Sequence, residues 1–433
     1  MPADRESTTY PELFRIPAFP RLAAGVILAR TASQMMQLTL VLFVLQRFHS
    51  ATLAGITVFL AIAPGIATSP LAGALLDRYG RVRLITLDYL VGAGGMLMLA
   101  ALDFTGRLSP AALLPIVAVS SLTYSLSNSG ARSLLPLIVP KPLWDRANAL
   151  DSIAYAVTIG AGPALAGSLT AVWGARAALL ATSLLFVLAA ALMADLEEPA
   201  APARNAGVLV EAWAGLTHVL VRNRTLRGVA LVVSLMNIGL GTLLVAVPVM
   251  VFQRLHGSPA FVGELWAIYG LASVPSALLF GRVNTEGRER LVMTSCAFAA
   301  SLGLSLLAFA SSPWMAAAAM LIAGLANGPF DVSMFSLRQR RTDPAWFGRA
   351  FAVSMGVNWA GQPVGSAISG PLIHLGLSVA FLAASAFVML GAALTGLVVP
   401  SERAGRIAGE SARQPRRESP VEESPSSVEQ GAG

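Results

Sequence analysis

The residues of this chain that could do chemistry are polar and charged side chains set inside long apolar runs. Arg30, Gln34 and Gln37 recur at i, i+4 and i+7, so they share one face of a helix. Ser121, Ser125, Asn128 and Arg132 make a second such stripe, with Tyr124 beside it. Ser234 with Asn237, and Asn327 with Asp331, make a third and a fourth. Polar groups in hydrocarbon are costly, so these faces should meet one another or a wet cavity. Tyr155, Asn358, Trp359 and Gln362 fall at mid-depth of apolar runs and are candidates for the wall of the same cavity. Such residue types can bind a solute and move a proton.

Three of these positions carry the sharpest expectations. Arg30 lies about ten residues into an apolar run, where a guanidinium needs a carboxylate, a carbonyl or an anionic ligand. It either binds an anionic substrate group or tunes a coupling carboxylate, or else it snorkels to the headgroups or makes a fixed interhelix pair. Glu264 and Asp331 are the proton-carrier candidates, because a carboxylate partly removed from water binds its proton more tightly. Glu264 reads equally as a wet residue at the rim. Asp88 and Asp151 lie near helix ends and read as interfacial ion-pair partners.

Other chemistries lack their residues. The four histidines are scattered, there is one cysteine (Cys296), and no metal-ligand spacing occurs. Gly92-Ala93-Gly94-Gly95 sits inside an apolar run with no strand before it, and no phosphate-cradling loop ends in Lys-Ser or Lys-Thr. No cofactor, no metal and no enzymatic constellation is expected.

What must position these residues is a bundle of membrane helices. Hydrophobic residues make up 55% of the chain and charged residues 12%, about half the charged share of ordinary soluble domains. Apolar runs at 21–46, 52–76, 84–102, 110–130, 147–172, 177–194, 228–252, 261–280, 291–311, 314–336, 350–372 and 377–399 are each of membrane-crossing length. The fold class is therefore an all-α membrane protein of twelve transmembrane helices. Of the 30 basic residues, only Arg47, Arg107, Arg176 and Arg254 fall in loops of one side and Arg30 within a span. The others, including those of 131–146, 195–227, 281–290, 337–349 and both termini, fall on the opposite side. That asymmetry places both termini in the cytoplasm and explains the net charge of +7 without nucleic acid.

The chain repeats itself after about 200 residues. Gln46-Arg47-Phe48-His49-Ser50 is echoed by Gln253-Arg254-Leu255-His256-Gly257-Ser258, and Gly162-Pro163 by Gln362-Pro363. Trp144-Asp145-Arg146-Ala147 is echoed around Trp346 to Ala350. The resulting plan is an N-terminal segment 1–20, a six-helix half 21–194, a cytoplasmic linker 195–227, a second pseudo-symmetric half 228–400, and a disordered tail 401–433 rich in Arg, Glu, Ser and Pro.

Between the second and third runs stands Gly73-Ala74-Leu75-Leu76-Asp77-Arg78-Tyr79-Gly80-Arg81-Val82-Arg83. This spacing resembles the corresponding loop of the major facilitator superfamily, and residues 15–400 resemble that family as a whole. In such a fold the four polar faces would line the central cavity. The resemblance implies a gating latch made by Gly73, Asp77, Arg78, Gly80, Arg81 and Arg83. The second-half counterpart, Gly281 to Arg288, lacks the Asp-Arg pair, which implies an asymmetric latch. Gly160, Gly162, Pro163 and Gly167 resemble the small-residue signature in the fifth span of proton-coupled exporters, with Ser168 where a second glycine is usual. The Trp144 to Ala149 pattern and Phe347-Gly348-Arg349-Ala350 resemble the branch of macrolide-type efflux proteins and siderophore exporters.

The resemblance implies a multi-pass protein of the bacterial cell (inner) membrane that works as a monomer by alternating access. Its partners would be protons, the lipid bilayer and a small amphipathic or partly anionic substrate carried outward, such as a drug, siderophore or secondary metabolite. The alternatives are a proton-coupled importer of a nutrient and a non-transporting sensor or scaffold of the same fold.

Overall fold

A computed structural model describes residues 10–198, 217–283, 285–342 and 347–399. Residues 199–216 of the expected linker (195–227), the tail, the first nine residues and Trp346 with the three residues before it lie outside the described residues. The described elements are all helices, and those that could cross a bilayer are numbered here as spans in chain order. Spans 1 to 4 are Ala18–Phe48, Ala51–Tyr79, Arg81–Phe104, and Pro110–Ser121 continued by Tyr124–Ile138. Spans 5 and 6 form one element, Trp144–Ala194. Spans 7 to 10 are Arg224–Gln253, Pro259–Phe280, Glu289–Leu307 and Pro313–Arg340. Span 11 is Phe347–Trp359 continued by Gly361–Leu375, and span 12 is Leu377–Val398.

Ten helices among the described residues are long and apolar enough to cross a membrane, against the expected twelve. The difference has two physical causes. Trp144–Ala194 counts once, yet its 51 residues would measure about 75 Å at ~1.5 Å per residue, more than twice the ~30 Å of hydrocarbon. Within it Gly174 takes φ 83° and ψ 164°, a conformation nearly closed to other residues, and breaks the helix there. Span 11 is broken at Ala360, which leaves two pieces of 13 and 15 residues, each too short to cross alone.

The repeat is visible in the backbone. His49 and His256, at equivalent places after spans 1 and 7, are the two non-glycine residues with positive φ among those described (51° and 49°). Each is followed closely by a serine, Ser50 or Ser258, that caps the next helix. Gly174 has its counterpart in Gly376, also at positive φ, before span 12.

The same plan recurs in the staples at this end of the bundle. In the first half, Asp103 at the end of span 3 accepts hydrogen bonds from Arg47 at 3.0 Å and from Arg176 at 2.7 and 2.8 Å. In the second half, Arg254 donates to the carbonyl of Ala308 and to Ser378, both at 2.9 Å. Each staple ties the end of the first helix of its half to the third and sixth.

The buried apolar core divides along the bundle axis. At the end bearing His49, Gly174 and His256, a single cluster takes in both halves. It runs from Met35 to Val44 in span 1, through Leu243, Leu244 and Val245 in span 7, to Phe381 in span 12. At the other end the core separates into a first-half cluster around Leu22, Ile85 and Met193 and a second-half cluster around Val229, Met293 and Met334. No cluster described at that end contains residues of both halves. The bundle is sealed at one end and divided at the other.

Candidate functional site

The seal is built from small residues. A side chain beginning at Gly167 would place its Cβ 2.5 Å from the carbonyl oxygen of Pro259 and 2.9 Å from Gly263, so spans 5 and 8 meet backbone to backbone. Gly263 in turn faces the Pro163 carbonyl at 2.6 Å, and Gly270 faces Gly160 at 2.9 Å, on the same measure. Gly162 instead packs on Gln34 of span 1. On the other side of the bundle, Gly55 of span 2 abuts Ser366 and Ser369 of span 11. The four small-residue motif positions thus serve two contacts, three toward span 8 and one toward span 1.

Just below the seal an amide chain crosses between the halves. Gln37 donates to Gln34 at 3.5 Å, and Gln362 of span 11 donates to Gln37 at 3.4 Å. Asn237 of span 7 donates to the Asn358 carbonyl at 2.8 Å, which supports the broken turn of span 11. Trp359 is half-buried next to that break.

Arg30 has a definite partner. Its guanidinium forks onto the Asp151 carboxylate of span 5, Nη1 to Oδ1 at 2.6 Å and Nη2 to Oδ2 at 3.1 Å, and Nη1 also reaches the Asp151 carbonyl at 3.2 Å. The Tyr155 ring lies 5.5 Å from the guanidinium carbon, one helical turn along. The fixed interhelix pair expected as one reading of Arg30 is thus present, and the side chains stay 16% and 29% exposed, so the pair is open to a solute. Asp88 differs from expectation. It is buried in span 3, in no ion pair among the described residues, because the helix begins at Arg81 and carries it two turns inward.

In the second half, Asp331 is half-buried and accepts a hydrogen bond from Asn327 at 3.0 Å, while Asn327 also donates to Ser273 of span 8 at 3.2 Å. Glu264 stands apart from this cluster. It is exposed, in the second turn of span 8, with no hydrogen bond or ion pair among the described residues. Asn128 is exposed, and Tyr124 sits half-buried where span 4 breaks. Thr68 of span 2 fills that break by donating to the Leu122 carbonyl at 2.8 Å.

Arg338 falls, by sequence, in the basic loop after span 10. The helix instead continues to Arg340, and Arg338 is 1% exposed. Its Nη2 donates to Asn358 at 2.6 Å, and its Nε has no partner among the described residues. Its Nη1 donates to the Met355 sulfur at 2.8 Å, and a guanidinium this deep with two neutral acceptors is a conspicuous electrostatic feature of the second half.

At the divided end, the latch residues make a network inside the first half. Arg81 pairs with Asp77, donates to Ser133 at 3.1 Å and reaches Glu198 at 3.3 Å. Glu198 also accepts from the Val82 backbone at 3.1 Å and so caps span 3. Arg78 lies over Tyr79, and Arg83 is exposed. Gly73 lies within span 2 and Gly80 forms the joint at its end. The second half solves the same corner differently, with an ion pair between Glu289 of span 9 and Arg340 of span 10.

Comparisons with known proteins agree with this architecture. The family described as Major Facilitator Superfamily matches residues 22–253 and 229–428. An uncharacterized MFS-type transporter of Sinorhizobium fredii is 37% identical over 402 residues, covering 90% of this chain and 97% of that protein. The multidrug efflux pump Tap of Mycobacterium tuberculosis is 27% identical over 375 residues, 82% of this chain and 86% of the pump. Macrolide efflux protein A of Streptococcus pyogenes is 22% identical over 362 residues, 81% and 88% of the two chains. Among solved structures, the nucleoside transporter NupG superposes with a TM-score of 0.71 at 13% identity, covering 88% of this chain and 99% of its own. A POT family transporter in complex with 5-aminolevulinic acid gives 0.72 at 10% identity, covering 91% and 98%. At these identities the structures speak to the fold alone.

Proposed function

We propose, for a chain that belongs to the major facilitator superfamily of membrane transporters, export of a small amphipathic or partly anionic molecule by proton-coupled alternating access. The observation that carries this reading is the core joined at one end and divided at the other, with Arg30–Asp151 and Asp331 placed toward the division. Under the positive-inside assignment the divided end is cytoplasmic, so this is an inward-facing state of a protein of the bacterial inner membrane. The efflux names of two relatives favour the outward direction, and the glycine seam between spans 5 and 8 is consistent with it.

Each part then has a task. The Arg30–Asp151 pair and Tyr155 offer a substrate a cation already neutralised, so an anionic group binds by displacing the carboxylate while a neutral one stacks on the ring. Asp331 takes the proton, and Asn327 holds its carboxylate toward the opening. The Gln34–Gln37–Gln362 chain holds the outer side shut and parts when the halves rock. Asp77 and Arg81 wait within the first half for the second half to approach. The membrane potential supplies about 2.3 kcal/mol per charge per 100 mV.

The test is a macrolide accumulation assay in cells that express the chain, with erythromycin as probe. The reading expects lower steady-state accumulation than in cells carrying Asp331→Asn, and equal accumulation once an uncoupler is added. Higher accumulation on expression would support import instead, and no difference with erythromycin or with a panel of amphipathic dyes would support a non-transporting role.

A further inference from the structure

On the wall of the first half, spans 1 and 6 leave a groove of about 450 Å³ lined by Arg21, Leu28, Leu188, Ala191, Leu192 and Asp195, none of them assigned a part in the proposed transport cycle. The two helices touch through Gly25 against Met193, and the groove runs along the side of that contact. Its charges sit at one end only. Arg21 is the fourth residue of span 1 and Asp195 follows the last residue of span 6. Leu28 and Leu188 each lie seven residues farther into the bundle, about 10 Å deeper at ~1.5 Å per residue.

The groove opens on a lipid-facing surface. Leu180, Leu184, Val187 and Leu188 of span 6 are all exposed and recur at i, i+4, i+7 and i+8, a continuous apolar stripe that bilayer must cover. Arg21 and Asp195 line one groove, yet they form no salt bridge with each other among the described residues. An apolar slot about 10 Å deep, with an unneutralised cation and an unneutralised anion at its polar mouth, has the layout of a zwitterionic phospholipid.

We propose that this groove binds one phospholipid with a primary-amine headgroup, phosphatidylethanolamine. Its phosphate lies on Arg21, its ammonium on Asp195, and an acyl chain in the slot between Leu28, Leu188 and Leu192. An anionic phospholipid satisfies Arg21 and is repelled by Asp195. A quaternary-amine headgroup has no N–H to give Asp195. The site therefore selects among lipids that the bilayer offers in common.

Native mass spectrometry of the full chain, with phosphatidylethanolamine, phosphatidylglycerol or phosphatidylcholine of identical acyl chains added to detergent micelles, tests this. The wild type should retain one phosphatidylethanolamine in about fivefold preference over either competitor. Asp195→Asn should shift the preference toward phosphatidylglycerol, and Arg21→Gln should weaken both. Leu192→Trp should expel the retained lipid with the charges untouched. Each variant is compared only where its elution profile and melting temperature match the wild type. Retention of the three lipids without preference, or a preference unmoved by Asp195→Asn and Leu192→Trp alike, overturns the proposal.

Discussion

At the residue scale the two halves keep their charge in different ways. The first half joins Arg30 to Asp151 by two parallel hydrogen bonds across spans 1 and 5. Asp151→Asn should lower the unfolding free energy by about 2 kcal/mol, the worth of a charge-assisted hydrogen bond, and cut transport at least tenfold. Thermal unfolding and initial-rate efflux measure the two effects. The second half buries Arg338 with two neutral acceptors, Asn358 and the Met355 sulfur. Arg338→Leu should therefore be neutral or stabilising, since it removes a desolvated charge, whereas Asn358→Leu strands that charge and should cost about 3 kcal/mol. Both follow from the midpoint of thermal unfolding.

These residues were unequally legible in the sequence. Arg30 stands out as a lone cation in an apolar run, but a partner 121 residues away leaves no local trace. Arg338 sits among Arg340 and Arg341 and reads as a loop charge, since only the fold of span 11 over it makes it buried.

The proposed gating belongs to the scale of elements. Spans 5 and 8 can close only because Gly167 and Gly263 have no side chain where their backbones cross. Gly167→Leu should hold the outer seal open. With Cys296 replaced by serine, spin labels at Arg107→Cys and Ser311→Cys, both in exposed outer loops, should then report a longer separation by double electron–electron resonance than in the parent. An unchanged separation would remove the seam from the gate. The all-helical membrane class was legible because hydropathy marks the apolar runs, while the structure has ten helices of spanning length among the described residues against the twelve expected. The break in span 11 has a cue in Gly361 and in Pro363, whose ring and missing N–H disfavour a helix continuing through Trp359. The equivalent Gly162-Pro163 leaves span 5 unbroken, so the cue alone does not separate the two outcomes. The corner from Gly73 to Arg83 was legible as a motif. Its closure onto Glu198, from the chain leaving span 6, depends on tertiary approach and has no sequence signature.

For the whole molecule, the proposed conformational state rests on the divided core. On the proposed reading, a transporter sealed at one end and open at the other must also visit the reverse arrangement, and the joined cluster around Val44, Val247 and Leu265 must then come apart. In the proposed proton-coupled cycle the driving energy enters through a titrating group, and the group proposed for it is Asp331. The most direct measurement is erythromycin movement in everted membrane vesicles acidified inside. Proton-coupled export predicts that the drug accumulates inside wild-type vesicles, is released when the pH gradient is collapsed, and fails to accumulate in Asp331→Asn vesicles that still exchange drug down its own gradient. Loss of preloaded drug from the acidified wild-type vesicles, or accumulation that Asp331→Asn leaves intact, would contradict it.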